Sequence, residues 1–433
     1  MLTREDLSTR FGAVLSDGTF MRDLIDIEKR EVSMRVLNDV EIHELELKKI
    51  FAKAWIIVGH ECEIPEAGDF VSRYMGEDGV LVTRAADGEI SVLLNVCSHR
   101  GMQVSRVDRG HSSSLVCPYH GWAFDAKGNL MGAPFKKEMY GEWDTTDYGL
   151  IKAKVEICNG IIFASFDGPE GPSLDEYLGE FKWYIDFNFR DADLLPTGPI
   201  QRFRMPANWK TFAEQLAGDG YHAAHLHRGL NELGINRWEL VGMGDGPSEY
   251  GYHTNVSFEN GHALLSWDNR FIFANRTPEE GDEFGINRSF PMQVFPCSTV
   301  GGSGRSETGE AQPVFIGGLM PRGPKAFEFW QLPLAPRAMA EDMAKNGRNP
   351  MAGFGAAIGA LIFADDAQQS PSMQRSAQGH VARSRMTLKY NSTHGTPNKP
   401  SNWSGPGDVY DGFPKDDNQW HWWSHWFDVI TAD

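Results

Sequence analysis

A chain of 433 residues is long for one compact domain and comfortable for two, and 41% apolar residues suffice for their cores. The net charge of −18 leaves no basic excess to neutralise phosphates, which argues against a general binder of nucleic acid or anionic membranes. Five cysteines are an odd and sparse set, unlike a disulfide framework, and point to the reducing cytoplasm.

At the start, MLTREDLSTRF mixes both signs of charge and lacks the apolar core of a signal peptide. Val36 to Phe51 has a helical pattern, with Val40, His43, Leu45 and Ile50 broadly on one side. Short β-branched and aromatic runs then predict strands at Ala54 to Gly59, Asp69 to Met75, Val80 to Arg84 and Glu89 to Val96. Asp78-Gly79 and Asp87-Gly88 read as their hairpin turns. Two more strands, Ser114 to Cys117 and Trp122 to Asp125, precede a turn at Lys127-Gly128-Asn129. This spacing predicts a small all-β domain over residues 41–167, with residues 1–40 belonging to the larger remainder.

Residues 168–433 read as an α+β domain. Helices are expected at Pro172 to Asp186, Asn208 to Leu226 and Gln419 to Val429. Strands are expected at Leu264 to Trp267, Phe271 to Phe273, Val314 to Leu319 and Phe327 to Leu334. Val300 to Pro313, rich in glycine and serine, reads as a mobile loop. The longest apolar run, Met351 to Ala364, has 14 residues, too few to span a bilayer, and reads as a buried helix. Its glycines have no βαβ context, so they are not a dinucleotide fingerprint. The aromatic C-terminal cluster around Trp420 to Trp426 reads as packing rather than a metal site.

The sharpest pattern is Cys97-Ser98-His99, then 17 residues, then Cys117-Pro118-Tyr119-His120. Two loops, each with one thiolate and one imidazole, can pinch a single cofactor. Cys97 and Cys117 would hold one iron of a two-iron, two-sulfide cluster, and His99 and His120 the other. A structural zinc site is the alternative, although such sites usually place a cysteine pair before a histidine pair.

The segment NVCSHRGM…CPYHGWAFDAKGNL resembles the Rieske domain of aromatic-ring-hydroxylating dioxygenase large subunits. The likeness extends to IFAKAWIIVGHECEIPEAGDFV upstream and LIKAKVEICNGIIFASFD downstream. Oxygen activation needs a second, open metal, commonly held by two histidines and one carboxylate. Asn208 to His227 offers Asp219, His222, His225 and His227. Spacing alone pairs His222 with His225, three residues on, on one helical face. The resemblance instead implies His222 and His227 as ligands, and Asp219 as the link to a neighbouring subunit's cluster-binding histidine. It also matches Asp365-Asp366 to the family's late acidic pair and makes Asp366 the third ligand. Without it, the pair reads as the solvated end of a helix.

The resemblance implies a catalytic domain with an antiparallel sheet covered by helices, of helix-grip type. It implies O2 and an aromatic substrate as co-substrates, mononuclear Fe(II) as the second metal and a cis-dihydrodiol as product. Substrate-pocket candidates are Gln215, Leu216, His225, Cys297 and Ile362. No nicotinamide or flavin site is visible in the sequence, so NAD(P)H would act only through a separate reductase, with or without a ferredoxin. A trimer of such subunits, each paired with a small beta subunit, is the implied assembly. Monohydroxylation or demethylation by the same parts, and a pure electron-transfer or zinc-stabilised binding protein, are the rival readings.

Overall fold

The computed structural model describes residues 13–232, 253–268, 288–306, 309–347, 363–391, 396–399, 403–412 and 415–432. The chain divides into two compact units. Phe51–Leu174 forms one, and Met1–Ile50 with Asp175–Asp433 forms the other, so the smaller unit interrupts the larger in sequence. These limits differ from the 41–167 read from the sequence, and the Val36 to Phe51 pattern is not one helix. Asn38 ends a short 3₁₀ turn, and Asp39 caps a new helix, Val40–Glu46, by accepting from the amides of Glu41 and Ile42. A widened π turn, Leu47–Phe51, follows.

The smaller unit is built from three antiparallel sheets. In the first, Ile90–Leu94, Asp78–Arg84, Asp69–Met75 and Arg109–His111 lie side by side. Met75 pairs with Asp78, so the connecting turn is Gly76-Glu77 rather than the expected Asp78-Gly79. Gly76 takes the left-handed conformation at φ 61°, and a Cβ there would meet the Phe51 side chain at 2.9 Å. The second sheet joins Leu115–Val116, Ala123–Phe124 and Leu130–Gly132, and the third joins Lys154–Cys158, Ile161–Ser165 and Ile56–His60. Phe70, Leu81, Leu93, Leu115, Trp122 and Phe124 belong to one buried core with both cluster-motif cysteines.

The larger unit is organised by one antiparallel sheet. Its order runs Leu194–Pro196, Phe327–Pro336, Val314–Pro321, Ser298–Ser303, Arg288–Val294, Ala263–Asp268, His253–Ser257, Asp408–Asp411, with Gln201–Met205 also paired to Phe327–Pro336. The expected loop from Val300 begins instead as the tail of a buried strand, Ser298–Ser303. Its glycines are there for packing: a Cβ on Gly301 would lie 2.4 Å from the Phe315 ring of the neighbouring strand. Phe271 to Phe273, and Met351 to Ile362 of the expected buried helix, lie outside the described residues.

Helices cover this sheet. The expected Asn208 to Leu226 helix is two pieces, Lys210–Gly218 and Ala223–Leu226. The break falls at Gly218, whose φ of 147° few side-chain-bearing residues adopt, and whose absent side chain makes room for Asn418. Asn418 Nδ2 donates to the carbonyls of Ala217 and Leu264, tying helix, sheet and the C-terminal helix Asp417–Thr431 together. The Phe363–Gln378 helix buries Phe363, Asp366, Ser370, Gln374 and Ala377, a stripe at spacings of three and four residues. Asp366 is therefore a carboxylate on a core-facing stripe, where a bare charge is costly.

Candidate metal centres

The two cluster-motif loops of the smaller unit have the same backbone frame. The Cys97 amide donates to the Met102 carbonyl and Gly101 donates back to Cys97; likewise Cys117 donates to Trp122 and Gly121 to Cys117. Gly101 and Gly121 adopt φ 72° and 71°, the left-handed step that each loop needs to reverse. The frame buries both thiols and brings the His99 and His120 rings to 4.6 Å. His99 stacks on Trp122 at 4.6 Å, and His120 on Tyr119 at 3.7 Å. Burial, and then the neighbouring Cys117 sulfur, push the Cys97 thiol up. The buried Nδ1 of His99 has no protein hydrogen-bond partner. Two adjoining buried sulfurs and an uncommitted imidazole nitrogen fit a metal cluster better than a packed core.

In the larger unit, His222, His227 and Asp366 bring one potential ligand atom each to within 4.8 Å of one another. Asp366 Oδ1 lies 3.6 Å from Nε2 of both histidines, whose rings are 5.1 Å apart. The five-residue separation of the histidines closes because they bracket a single tight turn. The carbonyl of His222 accepts from both His225 and Leu226, and His227 ends the turn. His225 is exposed and outside this group.

Around the triad, Gln215 Nε2 donates to Asp366 Oδ1 at 2.8 Å, while Gln369 donates to Gln215 Oε1 at 2.6 Å. His222 Nδ1 faces Asp219 Oδ2 at 3.2 Å, and Asp219 Oδ1 also accepts from the His222 amide. His227 Nδ1 faces Asp365 Oδ2 at 3.2 Å. Burial pushes the Asp366 carboxyl above its ordinary range. Burial also lowers His227, whereas at His222 the burial penalty is outweighed by Asp219 and Asp366, which raise it. Two imidazole nitrogens and a reluctant buried carboxylate this close to one another fit a divalent cation.

Of the other expected site residues, Leu216 is buried on the same helix as Gln215. Cys297 is fully buried, with its carbonyl accepting from the Leu319 amide, and burial pushes its thiol far up. None of the described contacts joins it to the triad. Ile362 lies outside the described residues. Sequence reasoning gave no role to Asp365 or Gln369, which carry no spacing signal relative to the histidines that they approach.

A model of the Rieske [2Fe-2S] domain matches residues 54–150. The chain is 34% identical to the biphenyl 2,3-dioxygenase alpha subunit of Rhodococcus jostii (strain RHA1), over 84% of this chain and 81% of that one. It is 38% identical to the N,N-dimethyl phenylurea N-demethylase alpha subunit of Sphingobium sp. (strain YBL2), over 59% of this chain and 56% of that one. Among solved structures, naphthalene 1,2-dioxygenase from Rhodococcus sp. bound to indole superposes with a TM-score of 0.79 at 29% identity, covering 100% of both chains. No helix among the described residues is long and apolar enough to cross a membrane.

Proposed function

Because this chain belongs to the alpha subunits of aromatic-ring-hydroxylating dioxygenases, we propose that it catalyses addition of both atoms of O2 to an aromatic ring, giving a cis-dihydrodiol. The observation that carries the reading is the convergence of His222, His227 and Asp366, with one carboxylate oxygen 3.6 Å from both imidazole nitrogens. In this reading Cys97 and Cys117 hold one iron of the [2Fe-2S] cluster and His99 and His120 the other. His222, His227 and Asp366 hold Fe(II). When bound, the cluster relays single electrons and the ferrous ion supplies open coordination positions for dioxygen.

The chain's own residues set the geometry. Gln369 holds the Gln215 carbonyl, so Gln215 turns its N–H toward Asp366 and keeps that carboxylate oriented. Asp219 faces Nδ1 of His222, which leaves Nε2 for the metal. Asp219 is also our candidate bridge to the cluster-binding histidine of a neighbouring subunit. Gln215 and Leu216 are candidates to border the substrate. Electrons come from an external reductase, with or without a ferredoxin. The assembly is a trimer with small beta subunits, working in the cytoplasm.

The test is the iron and acid-labile sulfide content of anaerobically purified protein, with spectra before and after reduction. Iron in excess of sulfide and a reducible Rieske-type spectrum support both centres. Equal iron and sulfide would remove the oxygenase centre, and zinc without sulfide would remove both. A second reading, monooxygenation with demethylation, is favoured by the likeness to an N-demethylase subunit. Labelled O2 separates the two, since only dioxygenation places both atoms in one product.

A further inference from the structure

His227 is flanked by two consecutive acids of one helix. Asp366 Oδ1 lies 3.6 Å from its Nε2, and Asp365 Oδ2 lies 3.2 Å from its Nδ1. Successive positions on a helix diverge by roughly 100°. Asp366 accordingly falls on the buried stripe, while the Asp365 side chain remains 45% exposed on the flank. The imidazole itself is 1% exposed. A neutral imidazole that offers Nε2 to a metal carries its proton on Nδ1 and needs an acceptor there. Asp365 is that acceptor. At the other histidine, Asp219 Oδ2 lies within ion-pair distance of His222 Nδ1, at 3.2 Å, but without hydrogen-bond geometry.

We infer that Asp365 is a positioning residue for the metal centre: it fixes the tautomer and ring orientation of His227. The inference rests on the reading that the triad holds iron. The plainer account makes Asp365 only an acid in the first turn of a helix, where a negative charge is favourable by itself. That account places its effect in stability alone, whereas positioning places it in metal affinity.

The experiment compares wild type, Asp365→Ala and Asp365→Asn as full-length oxygenase. Mononuclear iron is stripped and Fe(II) affinity measured by titration, with cluster absorbance and the thermal midpoint of the stripped form followed alongside. Alanine removes the acceptor and should weaken Fe(II) binding about 10- to 100-fold, with cluster spectrum and stripped-form midpoint unchanged. Asparagine keeps an acceptor oxygen without the charge and should recover most of the affinity. Wild-type affinity in Asp365→Ala, or a loss matched by a lower midpoint in both variants, overturns the inference. If wild type with an intact cluster binds no Fe(II), the iron reading itself falls.

Discussion

Lys210 and Glu46 form an ion pair with no exposure of either side chain, Nζ to Oε1 at 2.6 Å. The indole N–H groups of Trp426 and Trp209 donate to Oε1 and Oε2 of the same carboxylate, each at 3.0 Å. Lys210 opens the helix that leads to the metal triad, so this pair fixes the position of that helix in the core.

Removing one partner strands the other charge. Lys210→Met should cost about 3–5 kcal/mol of unfolding free energy. Glu46→Gln with Lys210→Met keeps an acceptor for the indoles and buries no charge. It should therefore be clearly more stable than Lys210→Met alone. Urea denaturation of the three proteins decides this, and a double variant no better than Lys210→Met would sink the account.

The two candidate second histidines differ in burial and should differ in consequence. His227→Ala should lose the mononuclear iron and ring hydroxylation, while His225→Ala should keep both. Metal analysis beside cluster absorbance reads this directly. Loss of iron in His225→Ala alone would reassign the ligand.

Gly218 is needed for both its backbone conformation and its lack of a side chain. A Cβ would stand 2.4 Å from Asn418 Nδ2. Gly218→Ala should destabilise the protein by about 2 kcal/mol or more and loosen the turn that carries His222. A thermal midpoint equal to wild type would contradict this.

His262 predicts acid sensitivity. Its Nε2 donates to the Tyr177 carbonyl and its Nδ1 accepts from the Phe295 amide, so both nitrogens are used by the neutral ring. Burial pushes it down to about 3 from an ordinary 6.5. Above pH 6.5 the ring is neutral in folded and unfolded chains, and its contribution is complete. As pH falls from 6.5 toward 3 the unfolded chain takes up the proton first, and stability declines. The full loss is about 3–5 kcal/mol. Melts at pH 7.5 and 5 should show a smaller difference for His262→Gln than for wild type.

The candidate cluster site was legible because its four residues sit in two short loops whose glycines and cysteines share a local frame. His222 and His227 were not legible from periodicity, since Gly218 breaks the helix and the histidines bracket an irregular turn. Asp366 could be placed only through resemblance, because the sequence gives no distance across 139 residues from His227. Val300 to Ser303, the start of the expected loop, was misread for a different reason. Glycine usually marks flexibility, but Gly301 lies where a neighbouring phenylalanine ring occupies the space of its side chain. The Gly76-Glu77 turn was displaced from Asp78-Gly79 because two glycines lay close enough for either to serve.

The smaller unit is inserted between Ile50 and Asp175 of the larger, and this sets an order of emergence from the ribosome. During synthesis residues 51–174 emerge whole, with every cluster-motif residue present, while the surrounding unit is still incomplete. Glu46 has by then left the ribosome, but Lys210 and Trp426 have not. The host unit's buried carboxylate must wait until Trp426 is made before it gains its last donor. All four cluster-motif residues of the inserted unit are present much earlier.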